Sequence, residues 1–501
     1  MNRKQSRIVR VIAIVLAVLL TLGVVISALL SFAYAEEAMN DNVNRCELTM
    51  EYLGEEQALR MSQRLVYTNT SDTALDRVLF YAPANLFRRQ NTLPYDAEAL
   101  SAAFPTGFLP GGIDLVNVQV NGDDCDWGYQ GEAEMFLRVS CALAPGESCV
   151  FSFDYYLLLT QNAAFMGVSE SDWRLSGFYF APAALDENNE FILNAPLSFT
   201  RYADVPAMDF EVRATLPESL MLAGTGTEQR SEIEGAALWT VAAQGVHDFA
   251  LHLSLLPEKQ TQTASGVALR SLTDVRGATD ELLSTSAQAV EICEEWFGPL
   301  PFRQIDFVQA DYGLDTLSHS SCMWLSRDLL KSGGRKQKLE VYSFIAQQYF
   351  GCRAWSHPSS DAWLSDSVSE YLGYLILEEL EGHEAHLQAL NENLVDSLQL
   401  TIPGGLNVTS DASLFTAYEY DIIIRNRGAV VFHELRTAMG REALIAGLRR
   451  FYEKGLESEV LTEMDLVDAL DEASSGSWEK FLTDWVYNVG DYVNQEIDWL
   501  D

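Results

Sequence analysis

Apolar and polar side chains alternate with a period of two through much of residues 45–257. Phe151, Phe153, Tyr155 and Leu157 alternate with Ser152, Asp154 and Tyr156. Phe210, Val212, Ala214 and Leu216 do the same before Pro217, as do Phe249, Leu251, Leu253 and Leu255 before Pro257. Successive side chains on a strand point to opposite faces, so each run predicts a half-buried strand. Turn signals at Asn121-Gly122 and Pro145-Gly146 punctuate the runs. The pattern predicts a large antiparallel β domain, with His252 on the solvated face of its strand. A polar stretch at 258–266 reads as a linker. Beyond it the period shifts toward 3.6, the repeat of an amphipathic helix. One helix is predicted over 278–297, stopping at Gly298-Pro299. Another covers 339–350, with Leu339, Tyr342, Ala346 and Tyr349 on one face and Gly351 at its end. Further helices fit 362–380, 383–397, 421–439, 441–453, 463–473 and 477–489. A mainly helical domain over 267–501 therefore follows the β domain. No internal repeat or low-complexity segment is visible.

The first residues follow a third pattern. Arg3, Lys4, Arg7 and Arg10 precede an unbroken uncharged run from Val11 to Ala35, and Glu36-Glu37 follow it. As a helix the run would reach about 37 Å at 1.5 Å per residue, longer than the ~30 Å hydrocarbon core of a bilayer. The positive-inside rule makes residues 1–10 a basic cytoplasmic tail and 11–35 a single-pass transmembrane anchor in the cell membrane. The bulk of the chain is then extracytoplasmic. Ala33-Tyr34-Ala35 also fits a signal-peptide cleavage site, but the apolar run exceeds an ordinary signal-peptide core, so an anchor is favoured. Either reading exports the body.

The chain has 501 residues with 33 Lys+Arg against 72 Asp+Glu. A chain this acidic repels phosphate backbones, which excludes nucleic acid as a general partner. At 48% apolar and 11% aromatic it is also too hydrophobic for disorder. The seven Cys are scattered and form no C-x-x-C, so a thiolate zinc knuckle is excluded. Cys141 and Cys149 flank the Pro145-Gly146 turn, either facing each other across a hairpin or lying as isolated buried thiols.

The segment from Trp296 to Tyr374 carries a resemblance. Phe297-Gly298-Pro299-Leu300-Pro301-Phe302 leads into a predicted strand. Ala346-Gln347-Gln348-Tyr349-Phe350-Gly351 closes one helix, and Trp363-Leu364-Ser365-Asp366-Ser367 with Tyr371 opens the next. Arg427-Gly428-Ala429-Val430-Val431 follows, then Leu435-Arg436 and Gly440, and finally Ser477-Trp478 to Trp485. This framework resembles the zinc aminopeptidases of the membrane alanyl aminopeptidase and leukotriene-hydrolase type, a gluzincin family. The resemblance implies a β-rich N-terminal domain over 45–257 and a thermolysin-like, mainly helical peptidase domain over 267–501.

What the resemblance implies about chemistry is not met by the residues. Such an enzyme places two His at i and i+4 on one helical face, a Glu between them as general base, and a Glu ligand on the next helix. The equivalents here are Ser343 and Gln347 for the two His, Phe344 for the base and Asp366 for the last ligand. The 19 residues from Gln347 to Asp366 match the family spacing and anchor the register. Zinc prefers thiolate, imidazole and carboxylate, so Ser and Gln make poor ligands, and Phe accepts no proton. The loop Glu that binds a peptide's free α-amine corresponds to His319, and the transition-state Tyr to Arg425. A guanidinium there repels a metal cation and could pair with Asp366.

No other segment supplies the motif. His383-Glu384 and His433-Glu434 have Leu387 and Thr437 at i+4. His383 and His386 read as a solvated turn, and His433 as a packed side chain. Neither a Gly-Lys phosphate loop nor a G-x-S-x-G elbow occurs. The leading expectation is a membrane-anchored pseudopeptidase, without zinc, whose residual groove binds a peptide or protein partner. A second is an active metallopeptidase with a rearranged site in which Asp366, His319 and His357 converge. A third is a structural ectodomain with a closed groove, Phe344 and Arg425 buried, and Arg425 paired to Asp366.

Overall fold

The computed structural model describes residues 43–487, apart from 55–56, 132, 195–196, 198, 200–203, 395–396, 399–404, 459 and 475. The proposed tail and transmembrane anchor therefore lie outside the described residues. Among the described residues, no helix is long and apolar enough to cross a membrane.

The alternating segments form strands as expected. In Ser148–Leu158 the odd-numbered residues from Cys149 to Leu157 are buried and the even ones reach solvent. This strand belongs to an eight-stranded sheet whose centre is Met208–Leu216, Asn44–Tyr52, Ala58–Thr68 and Ser148–Leu158. Its buried face packs on a four-stranded sheet through Phe80 of Leu75–Tyr81, whose ring meets Phe151 at 4.9 Å and Phe153 at 5.2 Å, both edge-on. Such edge-to-face contacts add to the burial itself. The expectation of a purely antiparallel domain needs correcting, because Asn44–Tyr52 runs parallel to Met208–Leu216.

His252 is a second correction. Its strand, Ala250–Ser254, is buried at every position, and the side chain is fully buried. It is covered on both faces, so alternation carries no exposure signal there. His252 Nε2 lies 3.2 Å from Asp172 Oδ2, and Trp324 of the neighbouring domain stands edge-on at 5.6 Å. Asp172 also pairs with the fully buried Arg174.

The stretch read as a linker contains an edge strand. Glu258–Gln262 pairs antiparallel with Ala268–Leu272, and its five residues are all exposed. It borders a five-stranded sheet in which Ala268–Leu272, Gln304–Ala310 and Cys322–Ser326 run parallel. Helix Ala278–Phe297 packs beside this sheet and stops where Gly298 takes φ +90°. Further helices among the described residues are Ala97–Ala103, Arg327–Ser332, Gly334–Gln347, Trp363–Glu381, His383–Asn393, Gly428–Met439, Arg441–Glu457, Glu463–Ala473 and Glu479–Tyr487. Ala417–Tyr420 and a π-helical turn, Asp421–Arg427, precede the Gly428 helix. The seven Cys are all free.

A buried charge network joins the β domain to the five-stranded sheet. Asp306 is fully buried and accepts from Arg270 Nε at 2.9 Å and Nη2 at 2.8 Å. It also accepts from the backbone N–H of Gly224 at 3.0 Å, across the domain boundary. Arg270 reaches back to Glu228 of the β domain. Removing one partner of a buried pair leaves the other charge uncompensated. Asp306→Ala is therefore expected to cost about 3–5 kcal/mol of stability, measured as a lowered urea midpoint, with Asp306→Asn milder because it keeps a hydrogen-bonding group.

Candidate functional site

Helix Gly334–Gln347 turns Glu340, Ser343, Phe344 and Gln347 to one side, as the i, i+3, i+4, i+7 spacing requires. Helix Trp363–Glu381 crosses it closely. A Cβ on Gly373 would lie 3.1 Å from the Ser343 backbone nitrogen, a tight contact that glycine relieves. The crossing brings Asp366 and Glu370, one turn apart, against Gln347 and Ser343. Gly428 plays the same part on the other flank, where any Cβ would overlap Ser367.

Each polar group in the crossing has a partner. Gln347 Nε2 donates to Asp366 Oδ1 at 2.9 Å, Ser365 Oγ donates to the same oxygen at 3.2 Å, and the Tyr420 hydroxyl donates to Oδ2 at 2.5 Å. Ser343 Oγ donates to Glu370 Oε2 at 3.2 Å. Arg425 on the π-helical turn gives Nε and Nη2 to Glu370 at 3.0 and 2.7 Å, Nη2 also to Glu340 at 3.1 Å, and Nη1 to Asp421 at 3.0 Å. Burial works against the Arg425 charge, but Glu340, Glu370 and Asp421 outweigh it and hold its pKa well above the ordinary value. Burial raises the Glu370 pKa, with Arg425 opposing and Glu340 reinforcing the rise.

Above this crossing lies a cavity of about 560 Å³, lined by Ser343, Phe344, Gln347, Asp366 and Arg425 among others. Five of the six residues singled out from sequence therefore meet at one place. The sixth, His319, does not line it. Its Nδ1 lies 3.0 Å from Asp248 Oδ2 of the β domain, and its ring packs on Trp324 at 4.9 Å. The next residues pin the same loop: the Ser320 backbone N–H donates to Asp248, Gly226 N–H donates to Ser321 Oγ at 2.8 Å, and Ser321 N–H to Gln348 Oε1 at 2.7 Å.

Several expectations are corrected here. Arg425 pairs with Glu370, Glu340 and Asp421, whereas the oxygens of Asp366 face Gln347, Ser365 and Tyr420. The closed-groove reading fails on the open cavity, although Phe344 is buried, its ring edge-on to Phe307 at 5.6 Å. Nor do Asp366, His319 and His357 converge, since His357 Nδ1 is engaged by Asp204 at 2.8 Å. Tyr420, Glu340 and Glu370 were not read from sequence. Glu340 and Glu370 stand one helical turn from Ser343 and Asp366.

The donor set does not fit zinc. Ser343 and Gln347 are a hydroxyl and an amide already donating to carboxylates, and Asp366 accepts from three groups. Among the described residues, no three His, Cys, Asp or Glu are placed to hold a metal ion.

The other histidines are structural. His383 is largely exposed, as expected of a solvated turn, but His386 is fully buried, because its helix packs it with Ala389 and Leu390 against Trp363–Glu381. His386 Nε2 accepts from Arg436 Nη1 at 2.9 Å, so Nδ1 carries the proton donated to the Tyr374 carbonyl. His433 is buried beside Tyr371. Burial lowers the His386 pKa to about 4, and burial with nearby His386 and Arg436 lowers that of His433 to about 3.

No family model matches the sequence. Aminopeptidase N of Lactococcus lactis subsp. lactis is 22% identical over 428 residues, 75% of this chain and 49% of that protein. Aminopeptidase N of L. lactis subsp. cremoris strain MG1363 is 22% identical over 374 residues, 68% of this chain and 42% of that protein. The chain spans less than half the length of these relatives. The solved M1 zinc metallopeptidase of Deinococcus radiodurans superposes with a TM-score of 0.61 at 18% identity, over 89% of this chain and 94% of that one. The fold is thus that of an M1 peptidase.

Two predictions follow from the wall of the cavity and its surroundings. Arg425→Met should cost about 3 kcal/mol, the low end for a buried pair losing one partner, because 23% of the Arg425 side chain is exposed. The deficit should shrink as pH falls into the acidic range, because burial raises the pKa of the stranded Glu370 and favours its neutral form; unfolding midpoints across that range check it. For His386 and His433 the folded pKa lies below the unfolded value of about 6.5. Stability is then full above about pH 6.5 and falls as pH drops toward 4, on the order of 3 kcal/mol for His386. The double variant His386→Gln/His433→Gln should show a flatter slope of midpoint against pH in that window.

Proposed function

This chain is related in sequence and in fold to the gluzincin aminopeptidases, and from that premise we propose that it is a membrane-anchored, extracytoplasmic pseudopeptidase. Its groove binds a peptide or protein partner without zinc and without hydrolysing it. The observation that carries this reading is that Ser343, Gln347 and Asp366, which stand at the metal-ligand positions of the family resembled, offer a hydroxyl, an amide and one carboxylate, each already hydrogen-bonded within the crossing. Zinc prefers thiolate, imidazole and carboxylate, so a hydroxyl, an amide and one carboxylate hold it poorly. Phe344, where a general base would stand, has no atom that can accept a proton from water. A cavity of about 560 Å³ persists at the same place, a size suited to a small ligand or part of a peptide. The basic residues before the uncharged run at 11–35 support a single-pass anchor with its N-terminus in the cytoplasm.

The test is metal analysis of the full-length protein together with an assay on aminoacyl substrates. No stoichiometric zinc and no chelator-sensitive hydrolysis are expected. Stoichiometric zinc, with hydrolysis abolished by a chelator, would overturn the reading.

A further inference from the structure

The polar floor of the cavity is saturated by its own hydrogen bonds, so selectivity has to come from the groups around it. These are strongly biased in charge. The lining carries Asp96, Glu98, Asp315, Glu340, Asp366 and Asp421 against only Lys336 and Arg425. Both cations have acidic partners: the largely exposed Lys336 Nζ lies 2.5 Å from Asp315, and Arg425 meets its three carboxylates. The lining is therefore anionic, with Asp96 and Glu98 exposed on one side.

Aromatic rings complete it. Tyr418 lines the cavity while 68% exposed, and Phe199 and Tyr420 form a tilted pair at 5.0 Å in the same wall. Carboxylates beside an accessible aromatic face suit a cationic side chain, whose apolar stem lies along the rings while its charged end meets the acids. The cation of a peptide could also be its free α-amine. In the family resembled here a loop acid holds that amine, but the equivalent His319 is buried against Asp248 and away from the cavity.

We propose that the groove binds a peptide segment through an arginine or lysine side chain and does not require a free α-amine. The inference rests on the peptide-groove reading above and names the ligand class for it. Charge complementarity selects this occupant over a neutral or acidic peptide.

The test is calorimetric titration of the full-length protein with an N-acetylated tetrapeptide amide containing arginine, its citrulline counterpart, and the arginine peptide with a free amine. The arginine peptide should bind about tenfold or more tighter than the citrulline one, and the free amine should add nothing. Glu98→Gln and Tyr418→Ala should each weaken the arginine peptide by about threefold or more. Equal binding of arginine and citrulline peptides would overturn the inference and leave a peptide groove standing. Binding that needs the free amine would do the same. Arginine-selective binding unchanged in both variants would assign the attraction to the acidic surface as a whole and overturn it too. If no peptide binds at all, both the inference and the peptide-groove reading fall.

Discussion

A carboxylate buried between two closely crossed helices has to be neutralised, and at the floor of this cavity that carboxylate is Glu370. Gly373 lets helix Trp363–Glu381 come against Gly334–Gln347 almost backbone to backbone, which takes Glu370 out of water. Desolvating an isolated carboxylate costs several kcal/mol, more than one hydroxyl from Ser343 returns. Arg425 supplies the balance with two donors, and does so from a third element, the π-helical turn Asp421–Arg427. Glu340 and Asp421 take two more N–H groups of the guanidinium. One cation thus ties three elements around a single charge. The same helices would carry the ligands of a zinc ion in the enzymes this chain resembles. Here a positive charge that is covalently part of the chain lies among the acids of that crossing.

Much of this was legible in the sequence, and the misses have common physical causes. The helix at 278–297 was placed to the residue because Gly298-Pro299 stops it. The register of Ser343, Gln347 and Asp366 was read from framework residues and spacing, and the three line one cavity. The partner of Arg425 was misread because burial of acids on helix Trp363–Glu381 leaves no periodic signal. Every residue of that helix from Trp363 to Leu377 is buried, Ser365, Ser367, Ser369 and Glu370 included. His252 was misread for the same reason, on a strand covered on both faces. Glu258–Gln262 erred in the other direction. An edge strand with all side chains in water has the composition of a linker, and only its pairing with Ala268–Leu272 distinguishes it.

The fate of His319 follows from how the two domains are joined. The loop that carries it is held by Asp248, Gly226 and Gln348, two of them from the β domain. Asp306 and Arg270 fasten the same sheet to Gly224 and Glu228 a few residues away. A loop clamped on both sides has little freedom to turn a side chain into the cavity. Leu317 and Ser318 remain on the cavity wall, and the first polar ring after them faces the interdomain joint.

A wall whose donors and acceptors satisfy one another has a consequence for recognition. A ligand reaching Asp366 or Glu370 would have to displace a bond already made, and an exchange of one hydrogen bond for another yields little net free energy. Groups that meet solvent, such as Glu98 and Tyr418, lose only water when a ligand arrives. In an enzyme of this fold the deepest polar groups carry the chemistry and the surroundings orient the substrate. In this chain the deep groups are bonded to one another, so the proposed ligand would meet the exposed acids and rings around them.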